Sequence, residues 1–133
     1  MDIELAPGIL EEVIQLAKAA YPAEACALLV GYNTAIRCVP ILNVANSPHR
    51  YEMDPSALIA ALRDLRSTGE RLIAIFHSHP HGPAEPSKAD IEQAYYPEAA
   101  HLIVSLADLE RPQAQGFRII DGEALPIEVH VIV

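Results

Sequence analysis

Apolar residues recur along this chain with two different periods, and the switches between them mark out its elements. Ile9, Leu10, Val13, Ile14, Leu16 and Ala17 fall at helical spacing, with Glu11, Glu12 and Lys18 on the opposite side. Pro7 and Gly8 mark a start and Pro22 an end, so the pattern predicts a helix from about residue 7 to 20. CALLVGY (26–32) is continuously apolar, as a strand covered on both faces is. Beyond a turn at Asn33 and Thr34, AIRCVPILNVA (35–45) predicts a partner strand, in which Pro40 asks for an edge or a bulge.

NSPHRYEMDP (46–55) reads as a turn-rich connection with a brief extended piece at Tyr51–Met53. Pro55 in a first turn, followed by Leu58, Ile59, Leu62 and Leu65, predicts a second amphipathic helix to about Thr68, stopped by Gly69. Residues 71–78 form the expected central strand. A Pro- and Gly-rich loop follows, then a short helix from about Ser87 to Tyr95. HLIVSLA (101–107), AQGFRII (114–120) and LPIEVHVIV (125–133) read as strands, the last completing the sheet, with a tight turn at Asp121 and Gly122. The order α-β-β-α-β-α-β-β-β predicts a mixed α/β domain with helices packed on a curved sheet. No repeat or linker divides residues 1–133, so one domain is expected.

Composition narrows the class. The 133 residues are 51% hydrophobic and 20% charged, which is globular, and the net charge of −9 argues against general binding to nucleic acid. No apolar run approaches the roughly 18–20 residues of a membrane span. MDIELAPGILEE lacks the basic start and hydrophobic core of a signal peptide, so a cytoplasmic protein with no membrane partner is expected. Cys26 and Cys38, both in apolar surroundings, are expected to be buried thiols.

The chemistry concentrates in HSHPHGPAEPSKAD (77–90). Side chains two apart on a strand share a face, so His77 and His79 can meet one metal ion. Two imidazoles and the carboxylate of Asp90 would leave a tetrahedral zinc ion one open position, the arrangement of a hydrolytic centre. Such a centre needs a general base, and Glu24 qualifies if the fold brings the start of the strand at 26–31 beside the strand at 71–78. The Ser87 hydroxyl could donate to an oxyanion. Plainer readings exist: Ser87 and Asp90 also resemble a helix capping box, and Glu24 alone would pass as a solvated carboxylate at a strand end. His81, beyond Pro80, reads as a loop residue near the cleft rather than a third histidine ligand.

HSHP, the seven residues from Pro80 to Pro86, and then S-x-x-D resemble the JAMM signature of MPN-domain metallopeptidases. PAEACALLVG (22–31) resembles that family's glutamate block, with Ala27 where glycine is usual. The resemblance implies a JAB1/MPN-like, cytidine-deaminase-like layered fold and one zinc ion per chain. It implies His77, His79 and Asp90 as metal ligands, Glu24 as general acid/base and Ser87 as oxyanion donor. Compact bacterial members process ubiquitin-like, β-grasp sulfur carrier proteins at a Gly-Gly C-terminus, so such a carrier is the implied substrate. The loop from His81 to Pro86 and the segment Arg50–Met53 are expected to wall the cleft, with Arg50 facing a substrate carboxylate or solvent. The alternatives are a non-cleaving module that binds β-grasp proteins and a zinc amidohydrolase of small conjugates.

Overall fold

A computed structural model describes residues 2–133. Its elements in chain order are β1 (Ile3–Leu5), α1 (Ile9–Ala20), β2 (Cys26–Gly31), β3 (Ala35–Ile41), α2 (Pro55–Thr68), β4 (Arg71–His79), α3 (Lys88–Glu92), β5 (Ala100–Ser105), β6 (Gln113–Ile120), β7 (Glu123–Ile127) and β8 (Val129–Val131). All eight strands form one mixed sheet in the order β7-β6-β5-β4-β2-β3-β1-β8. Every predicted helix and strand is present, mostly with ends shifted by a residue or two; β1 is an addition, and three predicted elements differ more substantially.

The helix ends follow local chemistry. α1 starts at Gly8 in a left-handed conformation and buries Ile9, Val13 and Ala17, while Glu11 and Glu12 sit in its first turn and Lys18 in its last. α2 is capped by the Asp54 carboxylate, which accepts from the Ala57 amide at 2.9 Å, and Pro55 opens the helix without losing a needed donor. Gly69, at φ 75°, stops it and returns its amide to the Leu65 carbonyl.

The two helices cover opposite faces of the sheet. α1 packs with Ala25, Ala27, Leu29, Ala74, Phe76, Leu102 and Val104. On the other face Cys26, Leu28, Val30 and Ile75 meet Leu58, Leu62 and Leu65 of α2. Successive residues of β2 and β4 therefore serve alternate cores, which explains why both strands read as unbroken apolar runs. Ala27 lies wholly buried on the α1 face, so its extra methyl points away from the face that carries His77 and His79.

Four differences from the sequence reading have physical causes. β1 is three residues long, too short to show a period, and is held by parallel pairing to β8. β3 ends at Ile41 instead of residue 45, beyond which only an isolated bridge joins Asn43 to Met53. Pro40 is tolerated because β1 pairs with β3 at Leu5 and Ala35 alone, leaving the outer side of β3 free at Pro40. α3 stops at Glu92 rather than Tyr95, where the chain turns so that Tyr96 joins the α2-side core.

LPIEVHVIV is two strands, not one. β7 pairs with β6, and after Glu128 the chain crosses to pair β8 with β1 at the far end of the sheet order. The ends of a strongly curved sheet thus meet, and Gly116 makes room for the junction. A Cβ there would come within 2.9 Å of Val129 Cγ2 and 3.1 Å of Ile3 Cδ1. No helix among the described residues is long and apolar enough to cross a membrane.

Candidate functional site

β4 delivers the two histidines from the centre of the sheet. It runs antiparallel to β2, pairing His77 with Cys26, and parallel to β5, pairing His79 with Ser105. Alternation puts both imidazoles on the α2 face, where His77 is 1% exposed. Their Nε2 atoms lie 3.1 Å apart. Asp90 Oδ2 completes a triangle, 3.0 Å from His77 Nε2 and 3.1 Å from His79 Nε2.

This convergence is what a metal requires. The Pro83 carbonyl, 2.8 Å from His79 Nδ1, can only accept, so Nδ1 keeps its proton when Nε2, which donates to Asp90 in the metal-free protein, gives up its own to ligate a metal. Three ligand atoms on a tetrahedral zinc ion, with bonds of about 2.0–2.1 Å, would stand roughly 3.3 Å apart, so the triangle needs to open by only a few tenths of an ångström. Glu24 also offers a carboxylate oxygen in a group with His77 and His79 whose atoms all lie within 4.8 Å of one another.

The supports of Asp90 are local. Ser87 caps α3: its hydroxyl accepts from the Asp90 amide at 3.1 Å, while Asp90 Oδ2 accepts from the Ser87 amide at 2.9 Å. The capping box and the ligand arrangement are therefore one structure, because the cap aims the carboxylate at the histidines. Burial opposes ionisation of Asp90, but hydrogen bonds from His77 and His79 outweigh it and hold the carboxyl well below its usual range. The intervening loop is tied down by Ser105 Oγ donating to the Gly82 carbonyl at 2.6 Å and by the Leu106 amide donating to the His79 carbonyl at 3.0 Å.

The histidines differ in environment. Burial pushes the His77 pKa down against the pull of Asp90, whereas at His79 the Asp90 and Pro83 hydrogen bonds overcome burial and raise it. Tyr51 stacks on the His77 ring with centroids 4.6 Å apart.

Glu24 precedes β2 and is 3% exposed. Its main chain is held by its amide donating to the Ser47 carbonyl at 2.9 Å and by Asn43 Nδ2 donating to its carbonyl at 3.0 Å. Its Oε1 is buried without a hydrogen-bond partner. Burial lifts its pKa to about 8, with His79 opposing and Asp90 adding to the rise. A cation at the triangle would bring it down again.

Glu24, His79 and Ser87 open on one cleft of about 290 Å³, walled by Pro48, His49 and the loop from His81 to Pro86. The expectation for that loop holds. Arg50–Met53 instead line a separate cavity of about 430 Å³ with Tyr96 and the buried His101. Tyr51 stacks against the flank of His77, which turns this segment away from the cleft. Arg50 lies 4.0 Å from Glu52, with its side chain 59% exposed. His81 lies edge-on to Tyr21 at 5.5 Å, outside the triangle. Sequence reasoning missed Tyr51 as a packing partner of His77 and Asn43 as an anchor of Glu24; long-range contacts of this kind leave no local period. Cys26 and Cys38 are free thiols, and burial pushes both up to about 12.

Known proteins share this arrangement of chain. The family model of prokaryotic homologues of the JAB domain matches residues 7–119. The CysO-cysteine peptidase of Mycobacterium tuberculosis is 29% identical over 127 residues, covering 93% of this chain and 87% of the relative. A probable TtuB-protein conjugate cleaving protease of Thermus thermophilus is 43% identical over 88 residues, covering 65% of this chain and 60% of the relative. A protein from Desulfitobacterium hafniense solved in solution has a TM-score of 0.88 at 34% identity, covering 99% of this chain and 93% of that one. The chain belongs to the family of prokaryotic JAB-domain homologues, and its fold is the JAB/MPN fold that the signature implied.

Proposed function

We propose that this chain is a zinc metallopeptidase that hydrolyses the bond following the Gly-Gly C-terminus of a ubiquitin-like, β-grasp sulfur carrier. The observation that carries the reading is the triangle of His77 Nε2, His79 Nε2 and Asp90 Oδ2, with the unpartnered Glu24 carboxyl nearby and opening on the same cleft as His79 and Ser87. The substrate class is supported by the relatives, one named for CysO-cysteine and one for TtuB-protein conjugates. Residues 1–133 act as one domain holding one zinc ion.

His77, His79 and Asp90 hold the metal, which when bound supplies a Lewis acid that makes water nucleophilic near neutral pH. Glu24 takes the proton that water loses on attacking the scissile carbonyl and returns it to the departing amine. Its buried, unpartnered oxygen suits that exchange, since no protein donor competes for it. Ser87 accepts the Asp90 amide, which leaves its own O–H free to donate to the oxyanion of the tetrahedral intermediate. The cleft walls at His49 and at the loop from His81 to Pro86 admit an extended carrier tail.

The test pairs metal content with turnover of a CysO–cysteine conjugate. The reading expects one zinc per chain, loss of hydrolysis on chelation and recovery when zinc returns. A stable complex with the carrier and no cleavage with any divalent metal would replace it with the binding-module alternative. Turnover of a free Gly-Gly-Cys peptide as fast as the whole conjugate would favour the small-molecule hydrolase.

A further inference from the structure

Ser78 stands between the two histidines, and alternation sends its side chain to the opposite, α1 face of the sheet. It is 0% exposed there. Cys26 opposes His77 in the β2–β4 ladder, so Ala25 and Ser78 form the next opposed pair. Such a pair normally exchanges two main-chain hydrogen bonds. Here only one is made between main chains, from the Ser78 amide to the Ala25 carbonyl at 3.1 Å. The other donor, the Ala25 amide, goes to the Ser78 hydroxyl at 2.8 Å. A side chain has replaced a ladder carbonyl at the residue that follows Glu24.

The consequence is positional. The chain enters β2 at this point, and the Ser78 hydroxyl fixes where it enters. The Ser47 carbonyl and Asn43 Nδ2 grip the Glu24 peptide groups from the other side. Oε1 of Glu24 has no hydrogen-bond partner, so the hydrogen bonds that set where this side chain starts are those of its main chain.

We propose that Ser78 is a positioning residue for the base: its hydroxyl holds the Glu24–Ala25 main chain so that the Glu24 carboxylate faces the metal triangle. This rests on Glu24 being the base. The same strand then presents ligands on one face and the brace of the base on the other, which couples the spacing of the two to a single backbone.

The experiment compares Ser78→Ala, Ser78→Thr and Ser78→Cys by turnover of a CysO–cysteine conjugate, zinc affinity against a chromophoric chelator, and hydrogen exchange at the Ala25 amide. Ser78→Ala is expected to lower kcat about 10- to 100-fold, since a misplacement near 1 Å can cost about 10²-fold, with KM and zinc affinity unchanged. Its Ala25 amide should lose protection. Ser78→Thr, which keeps the hydroxyl, should restore both protection and kcat to within a few-fold. Ser78→Cys, with a weaker acceptor, should fall between, and it carries the test if the alanine variant does not fold. Unchanged kcat in the Ala and Cys variants would overturn the proposal, as would a parallel loss of zinc, which would mean that Ser78 braces the ligands instead. Glu24→Gln run alongside separates the two readings: full turnover there removes the base assignment whatever Ser78 does.

Discussion

The two halves of the candidate centre are built in opposite ways. The metal half is local: His77, His79, Ser87 and Asp90 lie within one stretch of chain and support one another through a helix cap and a loop tied to Pro83. The base half is assembled from afar, with Glu24 and Ala25 held by Ser47, Asn43 and Ser78, the last 53 residues distant. The contrast teaches that metal binding and proton transfer can fail independently, because they depend on different parts of the chain.

The largest expected effect sharpens that contrast. Asp90→Ala should lower zinc affinity by at least 10²-fold, because it removes a ligand that both imidazoles face, whereas Glu24→Gln should leave zinc affinity within a few-fold while lowering kcat about 10²–10⁴-fold. Titration with a competing chelator beside single-turnover kinetics reads both. If Glu24→Gln shed its zinc, the two halves would be one.

Ser87 touches both. Ser87→Ala is expected to lower kcat by about 10²–10³-fold through loss of the oxyanion donor, and to cost about 1 kcal/mol of stability through loss of the cap. Thermal melts of the metal-free protein isolate the second effect from the first.

The smallest effect is a pH dependence. Glu24 has its pKa raised to about 8 in the folded, metal-free protein from 4.5, so between those values the folded state holds a proton that the unfolded chain releases. Stability contributed at this site is therefore lost as pH rises through that window. Metal-free Glu24→Gln should melt several degrees higher than the parent at pH 8 and little differently at pH 4.5, and zinc should shrink the gap. An equal difference at both pH values would show that burial does not set the Glu24 titration.

Legibility in the sequence follows the same division. The amphipathic period of Ile9 to Ala17, the Pro55 start and Gly69 stop of α2, and the shared face of His77 and His79 are short-range properties, and each was readable from neighbouring residues. Glu24 could be named as a candidate base from its chemistry, but only the resemblance to a known block tied it to the histidines, since nothing near it in the chain records that β2 will lie beside β4. β1 and the break at Glu128 escaped for a related reason: Ile3–Leu5 is held by β8 from the far end of the chain, and no turn residue marks the crossover. Tyr51 was placed on a cleft wall but packs on His77, because sequence cannot say which side of a ring a neighbour will take.

The alternation along β4 also sets what natural variation can do. Residues Ala74 to His79 keep an unbroken register with β5, and a bulge in the β2 pairing lies just upstream, between Leu29 and Val30. One residue gained or lost between that bulge and His77 would turn both histidines into the α1-side core and expose Ser78 to the metal side. Substitutions along the strand alter packing by degrees, but a single insertion or deletion inverts the whole pattern at once. The residues ahead of His77 are therefore freer to drift in composition than in length, and a comparison of many such chains should find the side chains of Ala74 to Phe76 more varied than the count of residues that leads to His77.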